Sequence, residues 1–354
     1  MNQPRVLDLF CGCGGLSKGF EDAGFEIVLG IDNDVAALKT FENNHLNSKT
    51  LCADLSNEQT FKMIKDAIDG DIDVIVAGPP CQGFSLTGPR NFDDDRNKLY
   101  LAVIKTVQLF KPKVFVIENV PGMETLYNGQ IKSEIVNRFK KMGYDVKTKI
   151  LCAADYGVPQ MRKRLFFVGV LDNDSFEFPV ETFNMDAYIT CEDAISDLPS
   201  REDSLGKELD EYTVEPITEY QKEMRLGCHI LYNHVATNHT QLVKDVIKLV
   251  PDGGNHRDLP PGVGDSRKFN EAWTRYHSKK PSKTIDTGHR NHFHYKYNRV
   301  PTIRENARLQ SFRDDFVFFG SKTQQNRQVG NAVPPLLGRV IAQMLLQIIE
   351  KNEE

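Results

Sequence analysis

The sequence predicts an α/β protein built on a doubly wound, mostly parallel sheet, with a second, smaller domain. Three observations carry this. Over the first 170 residues, short apolar runs alternate with helical patterns in β-α-β-α order. Runs such as Val74-Ile75-Val76-Ala77 are apolar at every position, as strands covered by helices on both faces require. Beyond Pro179 the alternation stops, and eight of the nine histidines crowd between His229 and His294.

The strands fall at residues 6–10, 26–31, 50–52, 74–77, 114–117, 144–151 and 165–170. Helical patterns occupy 34–44, 58–68, 99–109 and 131–142. Ligands of such sheets bind beyond the carboxyl ends of the strands. A short helix at 191–197 ends at Leu198-Pro199, the stretch from about 200 to 320 lacks clear periodicity, and 335–350 reads as a last helix. A length of 354 residues suits two domains, or one large domain with an insertion. No apolar run approaches the roughly 18 residues of a membrane span, and the first residues lack a secretory pattern. The seven scattered cysteines argue against a disulfide framework and for a reducing cytoplasm. Cys52 and Cys152 read as buried, inert thiols. No C-x-x-C pair occurs, so no metal is expected.

The net charge of −5 is unevenly spread. Residues 275–313 hold ten Lys/Arg against two acids, a balance of +8 (10 − 2). Residues 192–223 hold three against eleven, a balance of −8 (3 − 11). This is compatible with one basic face on an acidic protein.

Asp8-Leu9-Phe10-Cys11-Gly12-Cys13-Gly14-Gly15 follows the first strand and opens a helix. Glycines let the backbone turn tightly and approach a ligand closely. The spacing lacks the third glycine of a dinucleotide fingerprint. Asp32 ends the second strand, where a carboxylate can hold ribose hydroxyls, and Asp54 ends the third, within reach of an adenine amino group. An adenosine ligand without a pyrophosphate cradle is implied; S-adenosylmethionine fits better than NAD. Gly78-Pro79-Pro80-Cys81-Gln82 follows the fourth strand, and its prolines hold a thiol at the ligand edge of the sheet. A thiol is a strong nucleophile once ionised.

These motifs recur with Glu118-Asn119-Val120, Gln160-x-Arg162-x-Arg164, Arg304-x-x-x-Arg308-Leu309-Gln310-x-Phe312 and Gly330-Asn331-Ala332-Val333-Pro334-Pro335, in that order. The set resembles the cytosine-5 DNA methyltransferases of bacterial restriction–modification type, from Val6 to about Gln347. The resemblance implies a class I S-adenosylmethionine-dependent, Rossmann-like catalytic domain over 1–200 and 323–354, and a target-recognition domain over 201–322.

It further implies that Cys81, positioned by Pro80, adds to C6 of a flipped-out cytosine. Glu118 would serve N3 and Asn119 would shape the pocket. Arg164 would bind the cytosine O2, with Arg162 closer to phosphate or a loop. The donor would be held by Phe10, Gly12, Gly14 and Gly15, by Asp32 and Asn33, by Asp54 and Leu55, and by Pro79, Leu99, Asn331 and Val333. The long run 84–96 would close over the base, with Ser85 in the vacated space and Arg96 on phosphate or Glu118. Arg290, His292, Lys296 and Arg299, in a run of interleaved basic, amide and aromatic residues, would contact DNA. Arg304 and Arg308 would brace the recognition domain. The expected partner is double-stranded DNA, bound by a monomer in the cytoplasm, with a cognate restriction endonuclease as a candidate second partner. An RNA-directed relative would carry Cys-Phe-Thr, which is absent here. An inactive DNA-binding regulator would not need Cys81, Glu118 and Arg164 together. A hydride-transferring enzyme has no use for Pro80-Cys81-Gln82.

Overall fold

Strand β1 (Arg5–Leu9) buries Val6, Leu7 and Leu9 completely. Successive side chains point to opposite faces, so consecutive apolar positions need cover on both. In the computed structural model, which describes residues 3–80, 98–172, 176–265, 272–288 and 291–351, that cover is helical. After β1 come α1 (Gly15–Asp22), β2 (Glu26–Asp32), α2 (Val35–Asn44), β3 (Lys49–Cys52), α3 (Glu58–Ala67) and β4 (Val74–Ala77). Then come α4 (Lys98–Phe110), β5 (Val114–Asn119), α5 (Gln130–Lys140), β6 (Tyr144–Cys152), β7 (Gln160–Met161) and β8 (Lys163–Leu171). The predicted strands and helices of this region lie within two residues of the observed ones.

The chain divides into two compact units. Met1–Cys152, Lys163–Val180 and Pro335–Glu354 make the first; Ala153–Arg162 and Glu181–Pro334 make the second. The crossings at 180 and 335 differ from the expected 200 and 323, and 153–162 is an excursion the sequence did not announce. Its cause is a hairpin: Cys152 of β6 lies opposite Lys163 of β8, so the chain leaves the sheet and re-enters at adjacent positions.

The first unit holds a sheet ordered β3-β2-β1-β4-β5-β8-β6. The pairs from β3 to β5 are parallel, and β8 runs antiparallel to both β5 and β6. Chain order reverses between β1 and β4, the switch point at which such sheets bind ligands. One face packs against α3, α4 and α5 through Phe61, Ile64, Val103, Val107, Ile135 and Phe139. Phe115 of β5 sits opposite Gly169 of β8, where a Cβ would lie 2.1 Å from its ring, and stacks 4.1 Å from Phe139. Burying such a ring contributes roughly 2–3 kcal/mol. On the other face, Phe41 of α2 covers Gly30.

The second unit contains α6 (Cys191–Ile195), β9 (Leu209–Asp210), α7 (Glu219–Met224), β10 (Leu231–Tyr232), α8 (Gln241–Leu249), β11 (Thr274–Arg275), β12 (Ser282–Lys283), β13 (His292–Phe293), α9 (Ile303–Leu309) and α10 (Lys322–Asn331). Every residue of α9 is buried. Thr302 caps it: its hydroxyl accepts from Glu305 N at 3.2 Å, and Glu305 accepts from Thr302 N at 2.7 Å. Arg304 donates to the carbonyls of Tyr232, Arg313 and Phe316, at 3.1, 2.9 and 2.7 Å. Arg308 pairs with Asp197 at 2.5 Å and Asp314 at 2.6 Å. Polar groups thus supply much of the order that short strands do not.

The last helix, α11 (Pro335–Lys351), belongs to the first unit and packs on α1. A Cβ on Gly19 would lie 2.5 Å from Pro335 O and Arg339 N, so only glycine permits this approach. Taken together, 322–351 is the one stretch among the described residues with the length and apolarity of a membrane span; 56% of its most apolar 18-residue window is buried within the protein, and residues 332–334 interrupt its helix.

Candidate active site

The carboxyl edge of the sheet in the first unit gathers most of the predicted residues. The turn after β1 takes left-handed backbone at Phe10 (φ 61°), Gly12 (φ 53°) and Gly14 (φ 93°). Gly12 N donates to Asp32 Oδ2 at 2.9 Å, and Asp34 N donates to Asp32 Oδ1 at 2.9 Å. The Asp32 carboxylate is therefore aimed by two backbone amides. Asn33 beside it is exposed. Asp54 is exposed after β3, and a hydrogen bond from Ser56 N at 2.8 Å holds its carboxyl below the usual range. Leu55 points into the core, Pro79 is buried, Pro80 is exposed and Leu99 is half-buried.

The glycines of the turn divide their tasks. A Cβ on Gly12 would meet nothing within 4 Å, so Gly12 borders open space beside Asp32. A Cβ on Gly14 would lie 2.1 Å from His45 Nε2, so Gly14 serves packing. His45 is itself held by Glu21 at 3.0 Å. An open cradle flanked by an oriented carboxylate is a place where a pair of ligand hydroxyls could be held. Burial pushes the Cys13 thiol up to about 12 and the Cys11 thiol well above its usual value, which leaves neither nucleophilic near neutral pH. Asp8, beneath the turn, accepts from Ser17 Oγ at 2.6 Å. Burial lifts its carboxyl to about 7; Ser17 opposes the shift and Asp32 adds to it. Cys152 is buried as expected, but Cys52, the last residue of β3, is exposed.

At the end of β5, Glu118 and Arg164 form an ion pair with Nε 2.7 Å from Oε1. Antiparallel register makes the pair: Asn119 lies opposite Leu165, so Arg164 of β8 arrives at the edge where β5 ends. Arg164 Nη1 also donates to Lys163 O at 2.8 Å. A Cβ on Gly78 would sit 3.6 Å from Glu118 Oε2, which places this carboxylate at the exit of β4. Asn119 is buried; its Nδ2 donates to Pro79 O at 3.1 Å and its Oδ1 accepts from Val120 N at 2.8 Å. Asn119 thereby pins the segment leading to Pro80. Cys81, Ser85, Arg96 and Arg290 lie outside the described residues.

Several expectations for the second unit are corrected. Arg162 does not reach outward: it is 1% exposed and donates through Nη2 to Gly330 O at 2.9 Å and Asn331 O at 3.4 Å. Gln310 joins it, donating to Val329 O at 2.7 Å and accepting from Gln160 Nε2 at 2.8 Å. Together they hold the carbonyl end of α10, whose last residue, Asn331, is exposed, while Val333 beyond it is buried. Arg299 is buried on Glu305, with contacts of 2.6 and 2.7 Å. His292 is buried with its ring 5.3 Å from that of Tyr276. Of the expected DNA contacts that fall among the described residues, His292, Lys296 and Arg299, Lys296 is the exposed one.

The basic stretch is also less basic at its surface than its composition suggests, because Arg275, Arg299, Arg304 and Arg308 are all buried. Arg275 spends its guanidinium on the carbonyls of Ile247, Val250 and His294, at 2.6, 2.9 and 3.0 Å. Among the histidines, His234 lies between Pro199 O and Thr302 Oγ1, each at 2.8 Å, and His239 Nε2 accepts from Val300 N at 3.2 Å.

The mostly parallel seven-stranded sheet is the Rossmann-like fold of S-adenosylmethionine-dependent methyltransferases. The chain belongs to the C-5 cytosine-specific DNA methylase family, which it matches over residues 4–347. Its relatives include the Type II methyltransferase M1.HphI of Haemophilus parahaemolyticus, 39% identical over 97% of this chain and 86% of the relative. The Type II methyltransferase M.DdeI of Desulfomicrobium norvegicum is 38% identical over 96% of this chain and 88% of the relative. A crystal structure of a prophage-encoded DNA modification methyltransferase from E. coli superposes with a TM-score of 0.80 at 28% identity, covering 98% of this chain and 100% of that one. The S. pombe Dnmt2 methyltransferase shares the fold, with a TM-score of 0.61 at 17% identity over 99% of this chain and 100% of its own.

Proposed function

We propose that this DNA cytosine-5 methyltransferase works through covalent attack by Cys81 and serves as the modification enzyme of a Type II restriction system. The observation that carries the reading is the Glu118–Arg164 pair beside the Gly78-Pro79-Pro80 exit, with Asn119 tying β5 to the segment that leads into Cys81. Cytosine C5 is unreactive until a nucleophile adds at C6. The Cys81 thiolate supplies that addition, and Glu118, steadied by Arg164, meets the N3 edge of the base. Bound S-adenosylmethionine supplies a methyl group made transferable by the positive charge on its sulfur. Asp32 would hold its ribose, Phe10 and Gly12 would border it, and Asp54, exposed after β3, would meet its adenine, while the Leu55 side chain turns into the core. Loss of the C5 proton then lets the thiolate depart.

The second unit reads the target sequence in duplex DNA, and the flipped base costs a few kcal/mol to extrude. Type II relatives support a cytoplasmic enzyme paired with an endonuclease of the same site.

The test replaces the target cytosine with 5-fluorocytosine. Fluorine cannot leave as a cation, so elimination stalls. The protein should remain bound to DNA through denaturing electrophoresis, in the presence of S-adenosylmethionine, with the link mapped to the peptide containing Cys81. Cys81→Ala should form no adduct and transfer no methyl group. An active preparation that gives no adduct on its own site would refute covalent attack.

A further inference from the structure

We propose that His45 is a positioning residue for the methyl donor: at 1% exposure it is too deeply buried to touch a ligand, but it fixes the turn after β1 against α2. The proposal rests on the assignment of the donor to that turn. The turn meets α2 at two places. At the first, the Asp32 carboxylate takes hydrogen bonds from Gly12 N in the turn and from N of Asp34, the cap of α2, each at 2.9 Å. At the second, His45, which closes α2 at its other end, lays its ring on Gly14. A Cβ on Gly14 would come within 2.1 Å of His45 Nε2 and 2.9 Å of the Phe41 ring. Those two rings, one helical turn apart on α2, lie 4.2 Å from each other.

The His45 ring is itself gripped from α1. Gly14 caps that helix, and Gly14, Lys18 and Glu21 share one face of it, at intervals of four and three residues. Helical side chains lean toward the N-terminus, and Glu21 reaches back along this face to place Oε1 3.0 Å from His45 Nδ1. Lys18 stands 3.5 Å from the other oxygen of the same carboxylate. The contacts close a circuit: Asp32 joins β2 to the turn, His45 joins the turn to α2, and Asp34 returns α2 to β2. Left-handed glycines at 12 and 14, with φ of 53° and 93°, leave the turn soft on its own. With His45 in place, the turn cannot pivot about Gly12, and both amides stay on Asp32. Without it, a ligand must order the turn as it binds, and affinity falls. S-adenosylmethionine and its product S-adenosylhomocysteine carry the same ribose, so both should weaken alike. A merely structural His45 predicts something else: fewer folded molecules, each binding with unchanged affinity.

The test is calorimetric titration of the full chain with S-adenosylmethionine and with S-adenosylhomocysteine. Stoichiometry counts the folded molecules and Kd reports the site. His45→Leu keeps an apolar side chain but neither the ring nor the tie to Glu21. Its Kd for both ligands should rise about tenfold, while its affinity for duplex DNA without donor stays within about twofold. Glu21→Ala, a change at a partly exposed position, should raise Kd about threefold and add nothing in the His45→Leu background, because both act through one contact. A His45→Leu Kd within about twofold of the unsubstituted protein's overturns the proposal, as does a parallel loss of DNA affinity or additivity of the two substitutions. If His45→Leu does not fold, Glu21→Ala decides, and an unchanged Kd there overturns the proposal. Asp32→Ala tests the site itself. If it leaves both affinities unchanged, the donor assignment fails and the proposal with it. Weakened binding in Asp32→Ala beside unchanged binding in His45→Leu overturns the proposal alone.

Discussion

Arg308 is a full positive charge without access to water, held by Asp314 through Nε at 2.9 Å and Nη2 at 2.6 Å and by Asp197 through Nη1 at 2.5 Å. These carboxylates hold its guanidinium well above its ordinary value despite burial, and Asp314 is correspondingly lowered. Removing one partner of a buried ion pair leaves the other uncompensated, at about 3–5 kcal/mol. Arg308→Met should lower stability by that amount in denaturant titration, and a loss below 1 kcal/mol would mean the network is not held as described. A sequence shows that such a residue is basic but not where its charge goes. The partner Asp197 lies 111 positions away. For the same reason Arg299 and His292 read as DNA contacts until burial placed them inside. Glu118 and Arg164 were legible as candidates because their motifs are local, but their ion pair depends on strand register.

At the level of elements, the first unit was legible almost throughout, because strands of four to nine residues and helices of eight or more show their period. The second unit was not. Its strands of two residues have no period to show. Four helix starts there were nonetheless marked by capping boxes at Thr190, Thr218, Thr302 and Ser321, a signal available in the sequence and left unread. The far end of α10 shows what spacing alone does not reveal. Arg162 and Gln310 satisfy its last carbonyls, which a helix cannot pair internally. Arg162→Met should cost about 1–3 kcal/mol in thermal unfolding by leaving a buried carbonyl unpaired. DNA affinity of the folded variant should keep its salt dependence. A shallower salt slope would restore Arg162 to phosphate contact.

Across the whole molecule the two units respond to acid in opposite senses. In the second, burial holds His234 near 4 and His294 near 3, below the unfolded value of 6.5. Unfolding therefore takes up protons, and stability is lost as the pH falls from 6.5 toward 4. Glu305, depressed chiefly by Arg299 against the cost of burial, adds a further loss below 4.5. In the first unit, Asp8 is raised, so its cost grows as the pH rises from 3.8 to about 7. Denaturant titrations from pH 7 to pH 5 should lose roughly 1–3 kcal/mol per pH unit in the transition of the second unit. A pH-independent midpoint there would show that the two histidines are not neutral and buried. The contact between α1 and α11 has a consequence in time. Asp22 and Pro335 stand 313 positions apart, so a ribosome adding about 5–20 residues per second needs roughly 15–60 s between them. A nascent chain has its glycine turn and catalytic strands early, but α1 waits through synthesis of the entire second unit for the helix that covers it. The first unit thus closes only once the second unit has been translated.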